Sequence, residues 1–157
     1  MTAAVSIIDR SRGITPRAFD RTDAATKDPV IAAKLAQLRE KARGRDALGI
    51  LRLALEEFPG KTTIVSSFGS ESVVLLHLIA QIDPTTPILF LNTGKLFGET
   101  LRYRDRVQDE LGLTDIRSIG PHPDVFAQYD PEGTLWSKST DACCNFRKVV
   151  PLRRALE

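Results

Sequence analysis

The chain has 157 residues, a net charge of +2, 42% apolar residues and 27% charged residues. That length supports one domain with a real core, burying roughly 68–70% of its unfolded surface, and the mix is that of an ordinary globular protein. The small charge, with no Lys/Arg run, argues against a nucleic-acid partner, and no apolar run approaches the roughly 18–20 residues that a membrane helix needs.

Residues 1–27 are polar without sustained periodicity, and read as a flexible N-terminal arm ahead of a folded domain over 28–157. The opening stretch meets Asp9 and Arg10 after a few apolar residues, with no basic region ahead of it. A signal peptide is therefore not expected, and the protein reads as cytoplasmic. From Pro29 a helical stripe (Val30, Leu35, Leu38) runs to Gly44. Asp46 to Phe58 predicts a second helix, with Leu48, Leu51, Leu55 and Phe58 on one face and Pro59-Gly60 as its stop. Gly60-Lys61-Thr62 is not the end of a Walker loop: Leu55 stands where the earlier glycine belongs, and the triplet precedes its strand.

The texture then changes. Thr62–Ser66 is short and β-branched, a buried strand, and Ser67–Ser70 is its turn. Val73–Ile82 predicts an apolar helix, Pro87–Leu91 a second buried strand, and Asn92-Thr93-Gly94 a second turn. Leu96–Leu111 reads as a helix with a solvated charged face, and Asp115–Ile119 as a third strand. Strand–helix alternation of this kind implies parallel pairing with right-handed crossovers: an α/β fold with an open, mostly parallel sheet and flanking helices. After Pro121 the pattern is loop-like, with a short helix near Asp124–Gln128. A last helical stretch covers Asp141 to Glu157 with no Gly or Pro stop.

In such sheets ligands sit at the carboxyl ends of strands. The first turn, Ser66-Ser67-Phe68-Gly69-Ser70-Glu71-Ser72, offers hydroxyls, a glycine that permits close backbone approach, and a helix N-terminus with its free N–H groups. Those features suit a phosphate or sulfate; they equally suit a turn that merely caps its helix. Cys143 and Cys144 are the chain's two cysteines and are adjacent, so a disulfide framework is excluded. By themselves they read as small buried hydrophobes or as metal ligands. His77 and His122 lack the spacing of a zinc site and read as a core or half-buried histidine and a loop residue; Trp136 reads as a packing residue.

Four blocks, in order from about Ile64 to Leu156, resemble the PAPS/APS reductase family. Ser67–Ser72 is similar to its modified pyrophosphate-binding loop, and Leu91-Asn92-Thr93-Gly94 with Lys95–Thr100 to its second block. Gly133-Thr134-Leu135-Trp136 is similar to a third, and Asp141–Leu152 to its Cys-Cys block. The resemblance implies an adenine-nucleotide α-hydrolase-like fold. It also implies reduction of adenosine 5′-phosphosulfate, or its 3′-phosphorylated form, to sulfite and AMP (or its 3′-phosphorylated counterpart), with thioredoxin as reductant. The implied substrate-binding residues are Ser66 to Ser72, Leu91 to Gly94, Arg147 and Lys148. The adjacent cysteines resemble the iron–sulfur type, which mostly takes the nucleotide without the 3′-phosphate. Cys143 and Cys144 would then supply two of the four thiolates of a [4Fe–4S] cluster.

Two departures stand out. The family's Cys-x-x-Cys pair and its nucleophilic cysteine near the C-terminus have no counterpart in this sequence, which reads as C-terminally incomplete. An incomplete sheet would expose an edge open to association and aggregation, with a homo-oligomer as one outcome. Asn92 stands where the family commonly has Asp, keeping a hydrogen-bonding group and losing a charge. The competing expectations are a non-catalytic nucleotide- or partner-binding remnant of the same fold, and an ATP pyrophosphatase or sulfate adenylyltransferase chemistry, against which the Cys-Cys block argues.

Overall fold

Glycine, proline and short polar caps set the boundaries of the elements in the computed structural model, which describes residues 28–157. The N-terminal arm expected over residues 1–27 lies outside the described residues. Two compact units divide the described residues, one ending at Leu53 and the other running from Ala54 to Glu157.

In the first unit, α1 (Pro29–Ala42) starts where the Asp28 carboxylate accepts the N–H groups of Val30 (2.8 Å) and Ile31 (3.4 Å). Pro29 sits in the first turn, where its missing N–H is no loss. The helix buries none of its residues, and Val30 of the expected stripe is 75% exposed. Helix α2 (Ala47–Glu57) begins in this unit, with Gly49 N–H donating to Asp46 Oδ1 at 2.8 Å.

The second unit holds β1 (Ile64–Ser66), α3 (Ser70–Ile82), β2 (Ile88–Leu91), α4 (Gly98–Leu111) and β3 (Ile116–Ile119). The strands pair in parallel, in the order β1-β2-β3, with Ile64 opposite Ile88, Ser66 opposite Phe90, and Phe90 opposite Ser118. The fold is thus α/β with an open parallel sheet, as the alternation predicts. Side chains of a strand alternate between faces. Ile88 and Phe90 lie on one face and join Phe68, Leu76, Val107 and Leu113 in a single buried cluster. With right-handed crossovers α3 and α4 both fall on that face, and the two helices touch. Among the described residues, Phe90, Leu76, Ile79 and Ile88 are the largest fully buried side chains, each contributing roughly 1.5–3 kcal/mol.

Several boundaries move. Helix α3 starts three residues earlier than Val73, because Ser70-Glu71-Ser72 form its first turn. Helix α4 starts two residues later than Leu96 and ends at Gly112, whose left-handed backbone (φ 65°, ψ 30°) closes it. Beyond β3 come α5 (Pro123–Tyr129), the short α6 (Leu135–Lys138) in a stretch expected to be loop, and α7 (Thr140–Cys144).

The last helix is not uniform. A π-helical turn over Asn145–Val149, with Val150 N–H donating to the Asn145 carbonyl, separates α7 from α8 (Val150–Leu156). Pro151 explains it: in a regular helix its ring would clash with the carbonyl of Arg147 four residues back. Helix α8 lies against β2 and β3, with Pro151 buried.

Candidate functional site

The turn after β1 is shaped from within. Ser66 is buried, and its Oγ accepts the N–H of Phe68 at 3.0 Å. Phe68 takes a left-handed backbone (φ 56°), a conformation a bulky residue adopts only when its surroundings insist. The ring supplies the reason: it is buried and packs edge-on against Phe90 at 5.4 Å. Turning Phe68 inward leaves Ser67, Gly69, Ser70 and Glu71 exposed, with Ser72 half-buried. Gly69 caps α3 with extended backbone and no side-chain hydrogen bond. An uncapped helix start presents N–H groups and partial positive charge to an anion. The Glu71 carboxylate in that first turn favours the helix and opposes an anion.

The turn after β2 leaves the same end of the sheet on the neighbouring strand, since β1 and β2 are parallel and paired up to Ser66 and Phe90. Leu91 ends the strand, half-buried. Asn92 extends the ladder by donating its N–H to the Ile119 carbonyl (2.8 Å), and its Oδ1 accepts the Gly94 N–H (3.1 Å). Gly94 has φ 70°. Thr93 is buried, and its Oγ1 accepts the Lys95 N–H at 3.3 Å. Gly120 packs against this turn so closely that a Cβ there would lie 2.4 Å from the Asn92 carbonyl oxygen.

The cysteine block approaches the second turn. Ser139 Oγ accepts the Ala142 N–H at the start of α7 (3.3 Å), and that helix ends on Cys143, half-buried, and Cys144, exposed, both free thiols. Three residues after Cys144, in the π turn, Arg147 is buried at 2% exposure. Its Nη1 donates to the Thr93 carbonyl at 2.5 Å, and its Nη2 donates to, and ion-pairs with, Asp130 Oδ2. Its guanidinium lies over the Phe126 ring at 4.5 Å, and Phe126 in turn meets Phe146 edge-on at 5.2 Å. Lys148, the next residue, is exposed.

Asp130 is the residue sequence reasoning missed. It is buried, and its Oδ1 accepts the Leu135 N–H at 2.9 Å. Burial pushes its carboxyl pKa up, but Arg147 and the N–H groups of Leu135 and Thr134 outweigh that and hold it below the ordinary carboxylate value. Nothing in the spacing links positions 130 and 147. Beside the pair lies an open cavity of about 300 Å³, lined by Gly94, Lys95, Phe126, Asp130, Glu132 and Arg147 among others. None of Ser67 to Ser72 lines it, so the first turn presents an open surface rather than a wall of this cavity.

The remaining candidates have plainer surroundings. His77, expected in the core or half-buried, is exposed, with its ring Nε2 2.7 Å from Gln81 Nε2. His122 is an exposed loop residue whose Nδ1 lies 3.5 Å from the Asp124 N–H it caps. Trp136, expected to pack, is 59% exposed. A four-thiolate cluster needs four sulfur ligands. Among the described residues no group of three or more His, Cys, Asp or Glu is placed to hold a metal ion. The thiols of Cys143 and Cys144 have the right donor chemistry, but this chain's residues alone do not fit such a cluster. Among the same residues, no helix is long and apolar enough to cross a membrane.

Comparison with known proteins bears directly on these turns. A family model described as the phosphoadenosine phosphosulfate reductase domain matches residues 61–157. An adenosine 5′-phosphosulfate reductase of Mesorhizobium japonicum is 46% identical over 142 residues, covering 90% of this chain and 55% of that protein. One from Chelativorans sp. is 42% identical over 113 residues, 71% of this chain and 46% of that protein. A phosphoadenosine 5′-phosphosulfate reductase of Alkalilimnicola ehrlichii is 32% identical over 133 residues, 82% of this chain and 54% of that protein. The chain spans about half the length of the curated relatives it matches. Both strand-end turns and the cysteine block fall within the matched span, which covers more than half of the sequence, and the chain belongs to the phosphoadenosine phosphosulfate reductase family.

Proposed function

We propose that this chain carries the sulfonucleotide-binding part of an adenylyl-sulfate reductase of sulfate assimilation. The observation behind this is the pair of neighbouring parallel strand ends. One opens into an exposed Ser67–Ser70 turn and an uncapped helix start, and the other into the Asn92–Gly94 turn. Amides of Ser70 to Ser72, with the hydroxyls of Ser67, Ser70 and Ser72, bind the anionic phosphosulfate group. Leu91 to Gly94 bind the adenosine side through backbone groups, which tolerates Asn in place of Asp at position 92. Lys148, exposed close to the cysteine pair in sequence, supplies positive charge toward the substrate. Adenosine 5′-phosphosulfate is favoured over its 3′-phosphorylated form because the adjacent cysteines resemble the iron–sulfur type and because two of the relatives carry that substrate in their names.

The reaction proposed for the whole protein is a thiol-based reduction. A cysteine thiolate attacks the sulfate sulfur, the bond from sulfur to the bridging phosphate oxygen breaks, and AMP leaves with that electron pair. The resulting S-sulfocysteine is cleaved by a dithiol reductant of the thioredoxin type, which becomes a disulfide as sulfite departs. Neither Cys143 nor Cys144 is assigned the attack. Calorimetric titration of the chain with AMP and with adenosine 5′-phosphosulfate tests the binding role. Saturable heat with both is expected; no heat and no protection against thermal unfolding rejects it.

A further inference from the structure

We infer that Asp130 and Arg147 form a positioning clamp, which sets the Asn92–Lys95 turn against the cysteine-bearing helix without touching the substrate. This rests on the nucleotide-binding role proposed above. Arg147 is an obvious candidate for an anion receptor, but its surroundings assign it elsewhere. Both its terminal nitrogens donate to protein oxygens, Thr93 O and Asp130 Oδ2, and its Nε, also buried, has no acceptor among the described residues. The Asp130 carboxylate at contact distance cancels its charge, so little field is left to attract a phosphosulfate.

The same geometry makes Arg147 an effective spacer. The hydrogen bond to Thr93 bridges 54 positions of sequence. It joins the strand end whose next residues are Gly94 and Lys95 to a π turn beginning one residue after Cys144. Gly94 rests directly on the clamp: a Cβ there would lie 3.1 Å from Phe126 Cζ and 3.5 Å from Arg147 Nη1. Asp130 is itself tied to the start of α6 through the Leu135 N–H. Three chain segments therefore meet at one guanidinium. A shift there moves the second turn and the two thiols together, which is the coupling a reaction between nucleotide and cysteine block requires.

The test uses the full chain with Asp130→Asn, Arg147→Lys and, as an independent change on the apolar side, Phe126→Leu. Hydrogen exchange is measured with no ligand present, and affinities are then measured for adenosine and for AMP. The expected result is faster exchange at Asn92–Lys95 and at Cys143–Cys144 together, by about tenfold more than any acceleration that lowered global stability gives Ile88–Phe90 in the strand core. Affinities for adenosine and AMP should fall by the same factor, because a positioning residue does not read the phosphate. Equal acceleration across the β2 core would reduce the pair to an ordinary buried ion pair and overturn the inference. So would a loss confined to AMP in Arg147→Lys, which would make Arg147 a phosphate contact. Wild-type protein that binds neither ligand sinks the nucleotide-binding proposal alone; the exchange measurement still decides the clamp.

Discussion

The two turns at the ends of β1 and β2 serve one region of the molecule but are held in different ways. The first is held locally. Ser66 Oγ fixes the Phe68 amide two residues on, and the Phe68 ring, forced inward on a left-handed backbone, anchors the turn in the core. The second is held from a distance. Asn92 makes its own small turn with Gly94, but the Thr93 carbonyl is gripped by Arg147, and Gly120 closes on the Asn92 carbonyl. A self-contained turn stays exposed and ready for a ligand, whereas a remotely held one moves when its distant partner moves.

Breaking the remote hold should have the largest effect. Arg147→Ala leaves the Asp130 carboxylate buried and unpaired, and should destabilise the fold by about 3–5 kcal/mol in urea unfolding. The pair's pH dependence follows from the sign of the Asp130 shift. Its folded carboxyl titrates below the unfolded value near ~3.9, so the stabilisation is complete above that value and is lost as pH falls through the folded one. The gap in unfolding free energy between wild type and Asp130→Asn should thus be flat from about pH 5 to 8 and close below about pH 4.

Gly120→Ala comes next: its methyl would meet the Asn92 carbonyl, and a loss of about 1–3 kcal/mol with weakened AMP binding is expected. Phe68→Leu keeps an apolar anchor but loses the edge-on contact with Phe90, for about 1–2 kcal/mol by thermal melting. Asn92→Ala removes only the local hydrogen bond to Gly94 and should cost about 0.5–1.5 kcal/mol. If Asn92→Ala proved as damaging as Arg147→Ala, the contrast between local and remote support would fail.

That contrast also explains what was legible in the sequence. β-branched runs, apolar periodicity and Gly/Pro punctuation announce β1, α3, β2, α4 and β3, because those signals are local and repeat with the period of the element. The Ser67–Ser72 turn was legible for the same reason. The inward Phe68 was not, since a Gly-like backbone on a phenylalanine depends on a cavity made by residues such as Phe90. The π turn has a local cause in Pro151, which a uniform reading of Asp141–Glu157 as helix passed over. Asp130 was invisible: an acid before a proline in a loop reads as a turn residue until the fold sets it against Arg147. For Arg147 the block similarity pointed to a place near the site, and only the fold assigns its two acceptors.

The most direct measurement of the central claim is an NMR titration of the chain with AMP, following backbone amides. Gly69 to Ser72 and Thr93 to Lys95 should shift together and saturate at one nucleotide per chain. Shifts confined to other elements, or none at saturating AMP, would contradict the account.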